Sequence, residues 1–259
     1  MTVNTYTGVR TNAELIEQVY ELGHLDDAWR VLDSTYSNGK FWARRRPPRL
    51  VTVDIDPDKP AQILGDGTRL PFADATFDAT ITDGPYKLNG RPTDAVDQPY
   101  GVHRWESREG RHQLLVGLLA EAARVTVPGG RCFAKCQPQV NGGRLWFQQR
   151  ILSDAGEAAG LDLVDELYMA SGRAQPLRAP CLACGAKLMR RSTGVWGRVV
   201  SSKASEDEQA AAFVCDAGGA HQPGDLSPQQ HSNSNMSILL IFIKLPPSPP
   251  KGEAADTLF

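Results

Sequence analysis

Apolar residues recur at helical spacing first at Leu15, Ile16, Val19 and Tyr20, behind Thr11 or Asn12, either of which can cap a helix running through about Leu22. The period then shortens. Trp29 to Leu32 reads as a strand ending at Asp33 and Leu50 to Val53 as one ending at Asp54; Ile63 and Leu64 precede Asp66, and Phe77 to Thr82 precede Asp83. Four apolar segments in succession finish in a carboxylate, which is how an open parallel sheet presents ligand-binding groups at the carboxyl ends of its strands. Lys87 to Glu109 is polar and aperiodic, broken by Gly90, Pro92, Pro99 and Gly101, and is expected to be a mobile loop beside the site. His112 to Val127 reads as an amphipathic helix closed by Pro128-Gly129-Gly130, Arg131 to Lys135 as a strand, Trp146 to Ala159 as a helix and Leu161 to Met169 as a strand. Ser237 to Lys244 is the last, strongly apolar strand.

An ordinary hairpin needs only about 2–5 loop residues, yet residues 172–235, rich in Gly, Pro and Ser, separate the last two strands. A separate small module or a disordered segment is expected there. Residues 1–171 would form the core, 236–245 return to it, and 246–259 form a Pro-rich disordered tail. A chain of 259 residues can bury one full core. Its formal charge of −2 gives no global attraction to a polyanion, so such a contact needs a local patch. Arg44, Arg45, Arg46 and Arg49 are one candidate, with a solvated loop as the alternative. The N-terminus has no apolar core of signal-peptide length and no apolar run approaches the roughly 20 residues that span a bilayer. A cytoplasmic protein without membrane contact is expected. Five cysteines, an odd number, argue for reduced thiols or a metal site over a disulfide framework.

The fourth strand runs into Asp83-Gly84-Pro85-Tyr86, a carboxylate, a free carbonyl and an aromatic ring. An exocyclic amine of a nucleobase is a poor nucleophile because its lone pair is delocalised into the ring. Acceptors for its hydrogens and a flat surface for the base are what its alkylation requires. The segment resembles the D-P-P-Y signature of S-adenosylmethionine-dependent methyltransferases acting on such amines, with Gly84 where that family usually has Pro. The order of features over residues 25–170 and 232–245 also resembles the class I methyltransferase fold.

This resemblance implies an α/β, Rossmann-like architecture: a mostly parallel seven-stranded sheet with an antiparallel last strand, here with a small module inserted before it. It implies S-adenosyl-L-methionine as cofactor and DNA as partner, with RNA or a non-catalytic nucleic-acid-binding remnant as alternatives. The methyl acceptor would be adenine N6 or cytosine N4. Asp83 and the Gly84 carbonyl would accept the amine hydrogens, with Pro85 between them and Tyr86, which would stack on the base. Asp33, Thr35, Ser37 and Gly39 would form the loop under the methionine part of the cofactor, Ser37 standing where glycine is expected. Asp54 would take the ribose hydroxyls and Asp66 the adenine amine. From the residues alone, Asp54 or Asp56 also reads as a helix cap before Pro57, and Asp66-Gly67 as a tight turn. Lys135 to Val140 resembles a K-C-Q-D-Q-V segment of phage-type methylases, in which Lys135 would contact phosphate or brace the Asp83 loop.

Cys181-Leu182-Ala183-Cys184-Gly185 is a knuckle suited to two thiolates on one tetrahedral zinc. Cys215 with His221 or His231 could complete the shell, and a plain reduced thiol pair or a redox pair remains open. Cys132 and Cys136 alternate on an expected core strand and are read as packing residues. Lys187, Arg190, Arg191, Arg198 and Trp196 would make the insertion a target-recognition element, with Arg104, Arg108 and Arg111 as further cations.

Overall fold

The computed structural model describes residues 9–88, 107–141, 144–170, 178–190, 194–200, 205–224 and 236–247. Helix α1 (Asn12–Glu21) starts on a reciprocal cap: the Thr11 hydroxyl accepts from the Glu14 amide at 3.2 Å, and the Glu14 carboxylate accepts from the Thr11 amide at 3.2 Å. Strands β1 (Arg30–Asp33), β2 (Arg49–Asp54), β3 (Ile63–Leu64) and β4 (Phe77–Thr82) follow, with a short 3-10 turn at Lys40–Trp42 between the first two. Helix α2 (Arg108–Val125) leads into β5 (Thr126–Cys136). A small hairpin of β6 (Gln139–Asn141) and β7 (Arg144–Trp146) precedes α3 (Gln148–Ala158) and β8 (Leu161–Ala170). The inserted segment contributes β9 (Arg178–Pro180), β10 (Lys187–Arg190), β11 (Trp196–Arg198) and α4 (Glu206–Ala211), and β12 (Met236–Lys244) closes the series.

Among the described residues, seven strands form one sheet in the order β3-β2-β1-β4-β5-β12-β8. The first five are parallel and β12 runs antiparallel to both its neighbours. This is the class I methyltransferase arrangement that the order of features implied. Both faces are covered, as a parallel sheet requires. Alternate residues of β12 divide between them: Leu239 and Ile241 join Phe133, Ile81 and the Leu15, Ile16 and Val19 stripe of α1, while Ile238, Leu240 and Phe242 join Leu115 and Leu119 of α2 and Leu152 of α3. No helix among the described residues is long and apolar enough to cross a membrane.

The structure corrects two boundaries. Pro128-Gly129-Gly130 does not close the helix but lies within β5: Thr126 pairs with Phe77 and Arg131 with Ala79, so residues 127–130 bulge out of an already started strand. Trp146 does not begin a helix. It pairs with Gln139 in the hairpin, and α3 starts at Gln148.

The chain divides into two compact units, residues 1–172 with 233–259, and residues 173–232. In the second, β9, β10 and β11 form an antiparallel sheet, and α4 has its own capping box between Ser205 and Glu208. Most of the expected mobile loop (89–106) and of the expected tail (248–259) falls outside the described residues.

Candidate active site

The carboxyl ends of β1, β2, β3 and β4 open on a cleft lined by Thr35, Ser37, Asp54, Asp66, Gly67 and Pro85 at the strand ends, with Leu114 and Leu118 of α2 as an apolar wall. Four of the residues expected around a cofactor, Thr35, Ser37, Asp54 and Asp66, therefore come together on one cleft. Asp33 and Gly39 are not among its lining residues. Asp33 is buried, and both its oxygens are engaged: Trp42 Nε1 donates to Oδ2 at 2.8 Å and the Thr35 amide to Oδ1 at 3.1 Å. Burial pushes its carboxyl up to about 7 against those two hydrogen bonds, and the charges of Asp83 and Asp54 add to the rise. Gly39, with φ at +66°, starts the 3-10 turn that carries Trp42 to Asp33. These two residues hold the loop from behind.

Ser37 adopts φ +51°, the left-handed conformation that the missing glycine would have supplied. Its amide donates to Asp54 Oδ2 at 2.6 Å, while Asp54 Oδ1 accepts from the Asp56 amide at 2.9 Å. Asp54 is thereby fixed with its carboxylate at the cleft. Asp66 is oriented by its own turn, Oδ1 accepting from both the amide and the hydroxyl of Thr68 at 2.9 and 2.7 Å. A β-carbon at the next residue, Gly67, would stand 2.8 Å from the Ser34 carbonyl oxygen, so the backbone runs closer there than any side chain permits.

At the end of β4, the Thr35 hydroxyl accepts from the Asp83 amide at 2.7 Å and so ties the first and fourth strand ends together. Lys135 Nζ donates to Asp83 Oδ2 at 3.1 Å from a side chain only 4% exposed. Lys135, which from sequence could contact phosphate, brace the Asp83 loop or be merely solvated at a strand end, is buried here and braces Asp83. Asp83 Oδ1 is buried and has no hydrogen-bond partner among the described residues, an arrangement that is costly in a folded protein unless something else supplies the donor. Gly84 sits where a β-carbon would meet Leu118 Cδ1 at 2.6 Å and Leu115 Cδ2 at 2.8 Å. A larger residue there would require these two α2 leucine side chains to shift.

Tyr86 is half-buried with Lys135 Nζ 5.4 Å from its ring centroid. Its carbonyl accepts from Nε2 of the fully buried Gln148 at 2.7 Å, while Gln148 Oε1 accepts from the Gln137 amide at 3.3 Å. Gln148, which sequence reasoning passed over as one polar residue of a helix, thus pins the Tyr86 segment to the end of β5. Nearby, Arg108 and Arg144 lie over the Trp146 ring at 4.0 and 4.6 Å, His112 packs on the same ring, and Arg150 lies over Phe147. Burial and the Arg108 charge hold the His112 imidazole below its usual pKa.

Other expected cations are committed elsewhere. Arg44 pairs with Glu14 and Glu17, Arg45 with Asp27, Arg46 donates to the Tyr36 hydroxyl, and Arg49 to the Ala28 carbonyl. The patch at Arg44 to Arg49 is accordingly a set of local contacts. Arg111 is buried and donates to the Lys87 carbonyl. Arg104 and Arg191 lie outside the described residues. In the inserted unit, Cys181, Cys184, Cys215 and His221 converge, with ligand-capable atoms all within 4.8 Å of one another; His231 lies outside the described residues. Cys132 and Cys136 are buried in the sheet, and burial pushes the Cys136 thiol up to about 12.

No protein-family model and no curated protein sequence matches the chain. Among solved structures, it is similar to a TehB-like S-adenosylmethionine-dependent methyltransferase from Corynebacterium glutamicum (14% identity, TM-score 0.42, covering 92% of this chain and 89% of that one). It is also similar to the 1,6-didemethyltoxoflavin-N1-methyltransferase of Burkholderia thailandensis, solved with bound 1,6-didemethyltoxoflavin and S-adenosylhomocysteine (14%, 0.41, 91% and 77%). A third likeness is to an S-adenosylmethionine-dependent methyltransferase from Methanosarcina mazei (10%, 0.40, 87% and 97%). At these identities and scores, none of the three bears on what this chain acts on.

Proposed function

We propose that this chain transfers a methyl group from S-adenosyl-L-methionine to the exocyclic amine of a DNA base, adenine N6 or cytosine N4. The observation that carries the reading is Asp83, two residues before the cleft-lining Pro85: one oxygen is held by Lys135, and the other is buried without a hydrogen-bond partner among the described residues. An acceptor so placed suits an N–H donor brought by the substrate. The cleft also fits the cofactor. Asp54 and Asp66 gather negative charge in the cleft where the cationic groups of the cofactor would lie, Asp54 suits a pair of ribose hydroxyls, Leu114 and Leu118 offer an apolar wall for a purine, and Gly67 leaves room for close approach.

When bound, the cofactor would supply an electrophilic methyl group on sulfur. The protein's part is to hold and orient the amine. Asp83 Oδ1 accepts one amine hydrogen and the Gly84 carbonyl a second, which favours a pyramidal nitrogen whose lone pair points at the methyl. Lys135 keeps the carboxylate fixed through Oδ2, so little reorganisation accompanies reaction. Tyr86 stacks on a base taken out of its helix; such stacking typically contributes about 1–3 kcal/mol, against an unstacking cost of a few kcal/mol. Arg108, Arg144 and Arg150, with Trp146 and Phe147, would offer a cationic and aromatic surface to the strand that carries that base.

Two variants test the division of roles. Asp83→Ala should lower methyl transfer at least about 10²-fold, as expected when a positioning contact at the reacting centre is lost, and leave cofactor affinity nearly intact. Asp54→Ala should weaken cofactor binding in calorimetric titration. Equal loss of cofactor affinity in the two would overturn the assignment. Nucleoside mass spectrometry of DNA and RNA, separately, from cells expressing the protein and its Asp83→Ala variant reads the acceptor directly; a methylated base confined to RNA would overturn the choice of DNA.

A further inference from the structure

The inserted unit, residues 173–232, has little apolar material with which to hold itself together. Its buried cluster is Cys181, Leu188 and Cys215, with Cys184, Ala186 and Trp196 packed against it, so three of its six members are thiols. Segments of this size are marginal on apolar burial alone and usually need a disulfide or a metal. All three cysteines are free thiols.

Two turns bring them together. In the first, the Gly185 amide donates to the Cys181 carbonyl at 2.8 Å, Gly185 has φ +69°, and the Cys181 amide donates to the Ala186 carbonyl at 2.8 Å, so that Cys181 and Cys184 face the same point. In the second, the Cys215 amide donates to the Gly219 carbonyl at 2.9 Å and the Gly218 amide to the Cys215 carbonyl at 2.8 Å, which folds the chain back to His221. An isolated bridge between Val214 and Ala220 closes the second turn, and another between Cys181 and Pro223 ties it to the first.

The distances then discriminate. Cys181 Sγ lies 3.8 Å from Cys215 Sγ, and Cys184 Sγ lies 3.8 Å from His221 Nδ1. A tetrahedron with metal–sulfur bonds of about 2.3 Å has an edge of about 3.8 Å. Two of the six separations among the three thiols and the imidazole match that edge and all lie within 4.8 Å, far longer than a disulfide bond of about 2.0 Å. The other nitrogen of His221, Nε2, is buried with no hydrogen-bond partner among the described residues. Arg198 pairs with Asp216 and also reaches Cys184, placing a cation beside a site whose three thiolates would outweigh a divalent metal by one negative charge.

We propose that Cys181, Cys184, Cys215 and His221 form a structural Cys3His site for zinc. Soft thiolate donors with one imidazole in tetrahedral array select zinc over the oxygen-preferring cations. Four protein ligands close the shell, so the site binds no substrate and its work is to hold the inserted unit folded.

The full-length protein, purified without chelator, should carry one zinc per chain by elemental analysis. Replacing zinc with cobalt(II) should give the intense visible absorption and sulfur-to-metal charge-transfer bands of a tetrahedral thiolate site. Cys181→Ser with Cys184→Ser should abolish both signals. His221→Ala should reduce metal retention against a competing chelator at least about tenfold, within the range seen when metal-site partners are lost, whereas His221→Cys should restore it. Because a serine variant could simply misfold, thiol counting supplies a second measurement on the unaltered chain: Cys181, Cys184 and Cys215 should resist a thiol reagent until chelator is added. Substoichiometric zinc after reconstitution, a cobalt spectrum without thiolate bands, or three cysteines equally reactive with and without metal would each overturn the site. None of these readouts depends on methyl transfer.

Discussion

In the sheet unit, Phe77, Phe133, Phe242, Ile81, Leu239 and Leu240 are fully buried, and the two faces of β12 feed separate apolar clusters. Among the described residues of the inserted unit, Leu188 is the one large aliphatic side chain that is fully buried, and thiols make up half of the six-residue cluster it belongs to. Both units order their turns with the same hydrogen bonds, and α1 and α4 even start on the same kind of capping box. The difference lies in what drives the ordering. A sheet covered on both faces excludes enough water from apolar surface to offset the entropy of fixing its chain. A three-stranded sheet with one buried leucine must be held by something stronger than burial.

Removing metal breaks this comparison most directly. Structural zinc sites supply apparent binding free energies of about 10–16 kcal/mol that are, in effect, folding free energy. Chelation should therefore abolish amide hydrogen-exchange protection in β9, β10 and β11 while protection in β4, β5 and β12 is unchanged. The next largest effect is in the other unit. Phe133→Ala, in the strand that packs against α1, should destabilise the sheet unit by about 3–5 kcal/mol and leave zinc content at one per chain. If Phe133→Ala also released the zinc, or chelation also stripped protection from β5, the two units would not be independently stabilised.

How much of this was open to sequence reading depended on distance along the chain. The strand ends were legible because each apolar run stopped at its own carboxylate, and β4 was found at Phe77–Thr82, matching the observed bounds. The start of β5 was not, because Pro128-Gly129-Gly130 has the local character of a helix stop and only the pairing of Thr126 with Phe77 reveals a bulge. The hairpin of β6 and β7 has strands of three residues, too short to show a period, and Trp146 was absorbed into the helix behind it. At the site, the carboxylates could be named in advance, but not which would line the cleft: Asp33 faces inward to Trp42, nine residues on, an arrangement set by the 3-10 turn. The choice of Lys135 as partner of Asp83, 52 residues away, follows from β4 and β5 lying in parallel register. Cys215 and His221 were candidates for completing the metal shell, but their separations of 34 and 37 residues from the knuckle cysteines they meet fit no familiar spacing.

Acidity should move the two units in opposite directions. The Asp33 carboxyl is raised to about 7 in the fold from an ordinary 3.8. Between those values the folded state holds a proton that the unfolded state has lost, so this group makes stability fall as pH rises through the window and recover as pH is lowered. The slope is at most about 1.4 kcal/mol per pH unit. Thiolate ligands behave oppositely, since protonation competes with metal and the inserted unit should loosen as pH falls. Denaturant titrations of the sheet unit's transition from pH 4 to 8, on the native chain and Asp33→Asn, measure the contribution as the difference between the two slopes. Identical slopes would mean that Asp33 stays ionised in the fold.

The smallest effect concerns strain that the apolar core of the sheet unit tolerates at its cleft. Ser37 at φ +51° occupies a region costing an L-residue roughly 1–2 kcal/mol, whereas glycine there would forfeit about 0.4–1 kcal/mol through greater freedom in the unfolded chain. Ser37→Gly should thus stabilise the sheet unit by about 0.5–1 kcal/mol, seen as a higher denaturant midpoint with an unchanged slope. The contact that fixes Asp54 comes from the Ser37 amide, which glycine retains, so cofactor affinity should not change. A lower midpoint would show that the serine side chain contributes more than its backbone conformation costs. Weaker cofactor binding at unchanged stability would instead place the hydroxyl itself among the groups that hold the cofactor.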